Sequence, residues 1–282
     1  MRIAIASGKG GTGKTTVAAA LAFSLADSHK VRYFDCDVEA PNGHLFLKPD
    51  LTISQEAVIP IPQIQAEKCT ACGKCVEVCQ FHALARIGKT IMTFPQLCHG
   101  CGSCTFNCPE DAILEVPNRI GLLEQGLTRE GIQFLRGMLT VSEPMPTPVI
   151  RQLKKWTPST EETIDILDAP PGASCSVVET LRGADFVILV TEPTPFGLHD
   201  LRQIAGIVRE MNIPAGVIIN RDDEASSMIE QYCREEGLAI LYRIPFERKI
   251  AEWIARGQHL LQIHPDYAQD FEKLFSRIGM GV

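Results

Sequence analysis

The chain lacks a basic cluster, a long apolar run and a leader-like segment. Its 27 Lys and Arg are outnumbered by 34 Asp and Glu, which gives a formal net charge of -7. Because nonspecific binding to nucleic acid needs many phosphate contacts from basic side chains, we expect no nucleic-acid partner. No apolar stretch approaches the roughly 20 residues that span a bilayer, and no charged segment precedes a small-residue cleavage site. We therefore expect a cytoplasmic protein without a membrane partner.

Cysteine is abundant by comparison, because the chain of 282 residues contains eleven. Cytosolic reductants keep thiols reduced, so cysteines in a chain without an export signal are more often metal ligands or redox groups than disulfides. The sequence therefore favours bound metal over a disulfide framework.

Short apolar runs alternate with segments of helical periodicity along most of the chain. The runs that indicate strands are residues 2–7, 31–35, 163–168, 186–191, 216–220 and 238–244. The segments that indicate helices are residues 17–25, 198–211, 226–236, 246–256 and 266–277. This alternation predicts an α/β fold with a doubly wound, mostly parallel sheet.

The alternation is interrupted between residues 60 and 117, where the cysteines concentrate and prolines mark both ends. We predict that this stretch is a small α+β domain inserted into a larger domain of residues 1–59 and 118–282. After the insertion, residues 120–128 and 132–141 are candidates for a pair of strands, and residues 149–156 are a candidate helix.

A phosphate-binding loop follows the first predicted strand. The sequence from Gly8 to Thr15 fits G-x4-G-K-[ST] between a strand and a helix, which is the context of a P-loop. In such a loop the backbone N–H groups point at phosphate oxygens, Lys14 reaches the outer phosphates and Thr15 ligates Mg²⁺. The predicted ATP-binding residues of the loop are Gly8, Gly10, Gly11, Thr12, Gly13, Lys14, Thr15 and Thr16. The sheet is therefore expected to be of the P-loop NTPase type.

Asp168 is the second element of this predicted site. It ends the strand of residues 163–168 and precedes Ala-Pro-Pro-Gly. Because parallel sheets bind ligands at the carboxyl ends of their strands, we expect Asp168 to orient Mg²⁺. A surface aspartate is the alternative.

The loop carries an additional lysine, Lys9, that a plain P-loop does not require. The sequence Gly-Lys-Gly-Gly-Thr-Gly-Lys-Thr, with Asp35-Cys36-Asp37 and Asp168-Ala-Pro-Pro-Gly, resembles the deviant Walker A ATPases, which include MinD, ParA, the Mrp iron-sulfur carriers and the nitrogenase iron protein. The resemblance implies that Lys9 reaches the nucleotide of a partner copy and that ATP closes a homodimer. A solvated lysine in a loop is the alternative.

The same resemblance implies roles for three further residues. Asp37 resembles the carboxylate that orients the attacking water, and Asp35 is expected to be a neighbour of Mg²⁺, although the two roles are interchangeable on the sequence. Asn220, which ends a predicted strand, resembles the asparagine that reads adenine. A strand-end cap is the alternative for Asn220.

Eight cysteines form two near-copies of one pattern at an offset of 29 residues. The runs are Cys69-x2-Cys72-x2-Cys75-x3-Cys79 and Cys98-x2-Cys101-x2-Cys104-x3-Cys108-Pro109. This spacing is typical of bacterial ferredoxins, in which the fourth cysteine of each run binds the other cluster. The predicted ligand sets are Cys69, Cys72, Cys75 and Cys108 for one [4Fe-4S] cluster, and Cys98, Cys101, Cys104 and Cys79 for the second. Structural zinc is the alternative.

Three cysteines lie outside these runs. Cys36 and Cys233 are expected to be packing residues. Cys175 follows Asp168 at the offset where the nitrogenase iron protein carries a ligand to a cluster shared between subunits. The second ligand of that protein has no counterpart here, so packing is favoured over a third cluster.

These features predict a dimeric MinD-like ATPase with an inserted two-cluster ferredoxin domain. ATP and Mg²⁺ would control electron transfer to an unidentified redox partner. One alternative is delivery of clusters or metal cofactors to an acceptor protein, as in the Mrp branch. The other is a positioning ATPase like ParA or MinD, in which the clusters act as a sensor.

Overall fold

The computed structural model describes residues 1–158, 160–223 and 226–279. The strands are β1 (Arg2–Ala6), β2 (Lys30–Asp35), β3 (Asp50–Ile64), β4 (Leu84–Ile87), β5 (Thr90–Thr93), β6 (Ile113–Leu127), β7 (Gln133–Leu139), β8 (Thr163–Asp168), β9 (Phe186–Thr191), β10 (Ala215–Asp222) and β11 (Ala239–Pro245). The α-helices are α1 (Lys14–Leu25), α2 (His44–Leu47), α3 (Lys74–Glu77), α4 (Ser103–Phe106), α5 (Thr147–Trp156), α6 (Cys175–Leu181), α7 (Pro195–Glu210), α8 (Ser227–Glu235), α9 (Arg248–Ile254), α10 (Leu260–Ile263) and α11 (Tyr267–Gly279). A short 3₁₀ helix covers Pro95–Leu97.

Nine strands form one sheet in the order β11-β10-β9-β1-β8-β2-β7-β6-β3. The strands from β11 to β7 are parallel to their neighbours, whereas β6 pairs antiparallel with both β7 and β3. The prediction of a large, mostly parallel α/β sheet is confirmed. The predicted pairing of residues 120–128 with 132–141 is confirmed as the β6–β7 hairpin.

Side chains alternate across the sheet and build a core on each face. Ile3 and Ile5 of β1 pack on one face, together with α1 and α11. Ala4 and Ala6 face the other side and join the core that includes α5 and α7. Burial on both faces explains why the strands are continuously apolar in sequence. Among the helices that the structure describes, none is long and apolar enough to cross a membrane.

β3 and β6 form a long antiparallel ribbon, which we call the arm. Each strand has 15 residues, and the pairing runs from Asp50 with Leu127 to Ile64 with Ile113. Pro60 pairs with Pro117 inside this ribbon, so both predicted domain boundaries fall within paired strands. Sequence analysis did not predict β3, because we interpreted its prolines as the end of a domain. An edge strand tolerates proline, since one side of its backbone has no ladder partner.

The tip of the arm carries residues 65–112, which we call the cysteine module. It consists of α3, α4, the β4–β5 hairpin, the 3₁₀ helix and loops. Its two halves repeat each other, because left-handed backbone conformations recur at the offset of 29 residues. The positive-φ pairs are Ala71 with Gly100, Gly73 with Gly102, and His82 with Asp111. The buried core of the module is small: Cys75, Leu84 and Ile91 pack against Ile113, the first residue of β6.

Candidate nucleotide and cysteine sites

The segment between β1 and α1 forms the predicted phosphate-binding loop. Gly11 and Gly13 have φ values of 80° and 93°, a conformation that favours glycine. A Cβ atom at Gly8 would lie 2.2 Å from the carbonyl oxygen of Asp200 in α7, and one at Gly13 would lie 2.3 Å from the amide nitrogen of Asn220. The loop therefore needs glycine for both conformation and close packing.

A cleft of about 1260 Å³ opens beside this loop at the carboxyl ends of the strands. The glycine and polar residues that line it are Gly10, Gly11, Gly13, Lys14, Thr15, Thr16, Asp37, Asn42, Asn220, Arg221 and Glu247. The apolar residues that line it are Phe46, Pro171, Ile244, Pro245, Phe246, Ile250, Ala251, Ile254, Ala255 and Leu260. A lining that is partly polar and partly apolar suits a ligand with phosphates and a flat base.

Two buried oxygen atoms near the loop have no hydrogen-bond partner among the described residues. They are Oγ1 of Thr12 and Oδ1 of Asp168. The other oxygen of Asp168 accepts a hydrogen bond of 2.9 Å from the hydroxyl of Tyr33. Burial raises the pKa of Asp168, while Lys14, Thr15 and Tyr33 lower it. Because buried polar atoms are normally paired, the unpaired carboxylate oxygen fits a cation held by Asp168 and Thr15.

Asp35 and Asp37 take separate positions. Asp35 is fully buried, and its carboxylate accepts hydrogen bonds from the N–H groups of Gly43 at 2.8 Å and Asp37 at 3.3 Å. Burial raises the pKa of Asp35, and the charge of Asp168 raises it further. Asp35 therefore anchors residues 37–43, and its place as a neighbour of Mg²⁺ stays a prediction. Asp37 lines the cleft, and burial raises its pKa to about 6, against the opposing effect of Lys14.

Lys9 and Asn220 are both engaged with protein groups. The ammonium of Lys9 lies 3.4 Å from the carboxylate of Glu192. The side-chain amide of Asn220 donates to the Thr12 carbonyl at 2.7 Å, and its oxygen accepts from the N–H of Arg221 at 2.9 Å. Asn220 thus lines the cleft and also joins β10 to the loop by a hydrogen bond, while its contact with adenine stays a prediction. Glu192 was not predicted as a site residue, although its position directly after the apolar run of residues 186–191 is a signal in the sequence.

The eight cysteines of the two runs come together in two groups with exchanged fourth members. Cys69, Cys72, Cys75 and Cys108 line one small, mostly apolar cavity. Cys79, Cys98, Cys101 and Cys104 line a second cavity of the same kind. The sequence predicted this exchange of Cys79 and Cys108. No group of three or more His, Cys, Asp or Glu residues in the described part of the chain is arranged to bind a single metal ion.

Backbone groups near the sulfur atoms are arranged alike in the two halves. The N–H groups of Ala83 and Ala112 donate to Sγ of Cys79 and Cys108, both at 3.3 Å. The N–H of Gly100 points at Sγ of Cys98 at 3.5 Å. Four thiols, an apolar cavity and N–H groups directed at sulfur are the donor chemistry that an iron–sulfur cluster requires.

The remaining cysteines lie apart from these groups. Burial raises the pKa of the Cys36 thiol to about 12 and that of Cys233 to about 11. Both are buried, which confirms that they are packing residues. Cys175 is exposed at the first position of α6.

Strand β7, which pairs with β6 of the arm, contacts the segment that follows β2. The N–H of Leu139 in β7 donates to the carbonyl of Val38 at 2.8 Å. A Cβ atom at Gly137 would lie 2.8 Å from a side-chain carbon of Val38. Residues 37–43, which include Asp37 of the cleft, therefore pack directly against the hairpin at the base of the arm.

Helix α5 connects the arm to α6. The amide of Gln152 donates to the carbonyl of Val58 at 2.9 Å and accepts from its N–H at 3.2 Å. Arg151 makes a bidentate ion pair with Glu179 of α6 at 3.2 and 3.1 Å. Lys154 donates to the carbonyls of residues 179, 180 and 182 at 2.6, 2.8 and 2.7 Å. Because α6 follows the turn after Asp168, the arm is linked to the second side of the nucleotide cleft.

Residues 3–261 match the family described as CobQ/CobB/MinD/ParA nucleotide binding domain. The chain is 32% identical to the uncharacterized protein MJ0579 of Methanocaldococcus jannaschii, and the match covers 93% of this chain and 92% of that protein. It is 26% identical to an iron-sulfur cluster carrier protein of Aquifex aeolicus, over 94% of this chain and 62% of that protein.

Solved structures of similar fold include two MinD proteins. The septum site-determining protein MinD of Pyrococcus horikoshii, complexed with Mg-ADP, has a TM-score of 0.58 and 21% identity, over 97% of this chain and 93% of that chain. A chain of the MinC:MinD cell division protein complex of Aquifex aeolicus has a TM-score of 0.59 and 16% identity. That match covers 100% of this chain and 96% of that chain. At these identities the likeness concerns the fold.

Proposed function

Because the chain belongs to the CobQ/CobB/MinD/ParA nucleotide-binding domain family, we propose that it is a Mg²⁺-dependent ATPase whose nucleotide state controls electron transfer by two [4Fe-4S] clusters. The single observation that carries the coupling is the pair of links between the arm and the segments that leave the nucleotide cleft, one through β7 to Val38 and one through α5 to α6. In this proposal residues 60–117 are a ferredoxin domain inserted into an ATPase domain of residues 1–59 and 118–282.

The residues at the cleft have separate roles in binding and hydrolysing ATP. Loop N–H groups and Lys14 bind the phosphates, and the buried oxygen atoms of Thr12 and Asp168 gain partners when nucleotide and Mg²⁺ bind. Thr15 and Asp168 hold Mg²⁺, which shields the phosphate charge. Asp37 orients the attacking water, and Asn220 contacts the adenine after releasing the loop.

The cysteine module holds the redox centres in this proposal. Cys69, Cys72, Cys75 and Cys108 hold one cluster, and Cys98, Cys101, Cys104 and Cys79 hold the other. When bound, the clusters accept and donate single electrons. Exposed Cys72 and Cys101 lie at equivalent positions of the two halves, so an acceptor protein can approach either centre from solvent.

Coupling follows from the two links between the cleft and the arm. Nucleotide binding or hydrolysis that moves residues 37–43 would displace the β6–β7 hairpin through Val38. A shift of the turn after Asp168 would move α6, and the bonds of α5 would pass this movement to β3 at Val58. Lys9 from a second copy of the chain would close a homodimer on ATP.

Hydrolysis measurements test the enzymatic part of this proposal. Substitution Lys14→Ala removes the ammonium that binds the outer phosphates, so we expect ATP hydrolysis to fall by about a hundredfold or more. Lys155→Ala is the matched control, because Lys155 is exposed on α5 and lies outside the cleft. Equal rates in the wild type and Lys14→Ala would contradict the proposed site.

Delivery of clusters is a second candidate function, favoured by the name of the relative from Aquifex aeolicus, an iron-sulfur cluster carrier protein. Incubation of the loaded protein with an apo-ferredoxin and MgATP separates the two functions. Electron transfer predicts that this chain keeps its iron. Stoichiometric loss of iron to the acceptor would favour the carrier function. If the Cys175→Ala variant still transferred iron, Cys175 would be excluded from a role in that transfer.

A further inference from the structure

One buried carboxylate is shared by two cations beside the nucleotide cleft. Glu192 follows β9 directly, and its side chain is only 10% exposed. It pairs with the ammonium of Lys9 at 3.4 Å and with the guanidinium of Arg221 in a short charge-assisted contact. Lys9 and Arg221 are 34% and 52% exposed at their side chains. The group has two positive charges and one negative charge.

The position of Lys9 is fixed by its neighbours as well as by this ion pair. The Gly8 backbone packs so closely on Asp200 that no Cβ atom would fit. The Lys9 carbonyl accepts a hydrogen bond of 2.7 Å from the Ser7 hydroxyl. Lys14 and Arg221 line the cleft, whereas Lys9 and Glu192 are not among the described residues that line it. The ammonium of Lys9 is therefore held outside the cleft.

We propose that Glu192 is a positioning residue for Lys9, which it holds away from the cleft until phosphate oxygen atoms of a nucleotide on a second copy of the chain compete for the ammonium. This inference rests on the proposed function for the closed dimer. Leaving one cation of a buried pair without its partner is strongly unfavourable. Here the carboxylate keeps Arg221 when Lys9 leaves, so no unpaired charge stays buried and the release is reversible.

Labelling of lysine amines in the nucleotide-free protein tests directly whether Glu192 holds Lys9. Glu192→Gln keeps the side-chain shape and removes the charge, so we expect an amine-reactive acetylating reagent to modify Lys9 about threefold to tenfold faster. Arg221→Gln is expected to have the opposite effect, because Lys9 then has the carboxylate to itself. Glu210→Gln, at an exposed position at the end of α7, is the matched control. Mass spectrometry compares Lys9 with Lys155 as internal reference.

Faster labelling of Lys9 in Glu192→Gln together with slower labelling in Arg221→Gln supports the proposal that Glu192 holds Lys9. General loosening of the fold would instead make labelling faster in both variants. Equal labelling of Lys9 in the wild type and Glu192→Gln would overturn the inference. Sedimentation velocity with a nonhydrolysable ATP analogue then tests the release. We expect the Glu192→Gln protein to dimerise at severalfold lower concentration than the wild type. In a Lys9→Ala background the substitution Glu192→Gln should not change dimerisation. If neither the wild type nor Glu192→Gln dimerises although their labelling differs, the pairing of Glu192 with Lys9 is supported and the proposed dimer is contradicted.

Discussion

At the scale of single residues, the fold disfavours the ionised form of Asp37, although the proposed role of Asp37 requires that form. Burial raises its pKa to about 6, above the usual value of 3.8. The folded chain therefore holds this proton more tightly than the unfolded chain does. The contribution of Asp37 to stability is therefore fully present below about pH 4, and it is lost as the pH rises through about 6.

Asp37→Asn should therefore stabilise the nucleotide-free protein while it impairs hydrolysis. Because the side chain is only partly buried, we expect the midpoint of thermal unfolding at pH 7.5 to rise by about 2 °C, and the gain to vanish near pH 4. ATP hydrolysis should fall by about a hundredfold, and wild-type hydrolysis should decrease as the pH is lowered through 6. Asp266→Asn, at an exposed position, is the control. An unchanged unfolding midpoint at pH 7.5 would contradict the burial of this charge.

Residue spacing predicted some of these roles and not others. Lys14 and Asp168 were predictable because each sits in a motif whose backbone context is fixed. Asp35 and Asp37 are two residues apart at a strand end, and only the three-dimensional course of residues 37–43 separates the buried anchor from the cleft residue. Glu192 belongs to no motif, so its pairing with Lys9 and Arg221 is visible only in the folded structure.

At the scale of elements, α5 is the part that gives the arm its second link to the cleft. Gln152→Ala removes both hydrogen bonds to Val58, at a cost of about 1 kcal/mol. We expect the Val58 amide to exchange with solvent about fivefold faster in hydrogen-exchange mass spectrometry, while ATP hydrolysis is retained. Lys155→Ala on the same helix is the control. Unchanged exchange at Val58 would show that α5 does not hold the arm.

The alternation of strands and helices was enough to predict the sheet, but not the arm. Apolar runs buried on both faces identify the parallel strands regardless of their order. β3 is an edge strand with a mixed pattern and two prolines, and the same residues suit a linker. Its partner β6 was predicted only where it pairs with β7, because its first half extends into the segment that we assigned to the insertion.

At the scale of the whole molecule, the proposed function requires that each of the two cysteine groups binds its own cluster. The loaded protein should contain about eight iron atoms per chain. Cys75→Ser and Cys104→Ser each remove one ligand from a different group, so each variant should retain about four. Cys175→Ser and Cys233→Ser are the controls, and both should keep all the iron. Loss of iron from Cys175→Ser would instead indicate a further cluster.

Iron should also decide whether the cysteine module stays folded. Its core of Cys75, Leu84 and Ile91, packed against Ile113 of β6, is too small to stabilise the 48 residues 65–112 alone. Removal of iron by a chelator should therefore make residues 65–112 sensitive to protease while the nine-stranded sheet stays resistant. Limited proteolysis followed by mass spectrometry measures both. Equal resistance of the module with and without iron would contradict the proposal.

Coupling between the nucleotide cleft and the cysteine groups is the central claim, and anaerobic EPR of the reduced protein tests it most directly. Spectra are compared with and without MgATP in the intact chain and in Lys14→Ala. We predict that MgATP changes the cluster signals in the intact chain and leaves those of Lys14→Ala unchanged. Signals that are identical with and without MgATP in the intact chain would contradict the coupling.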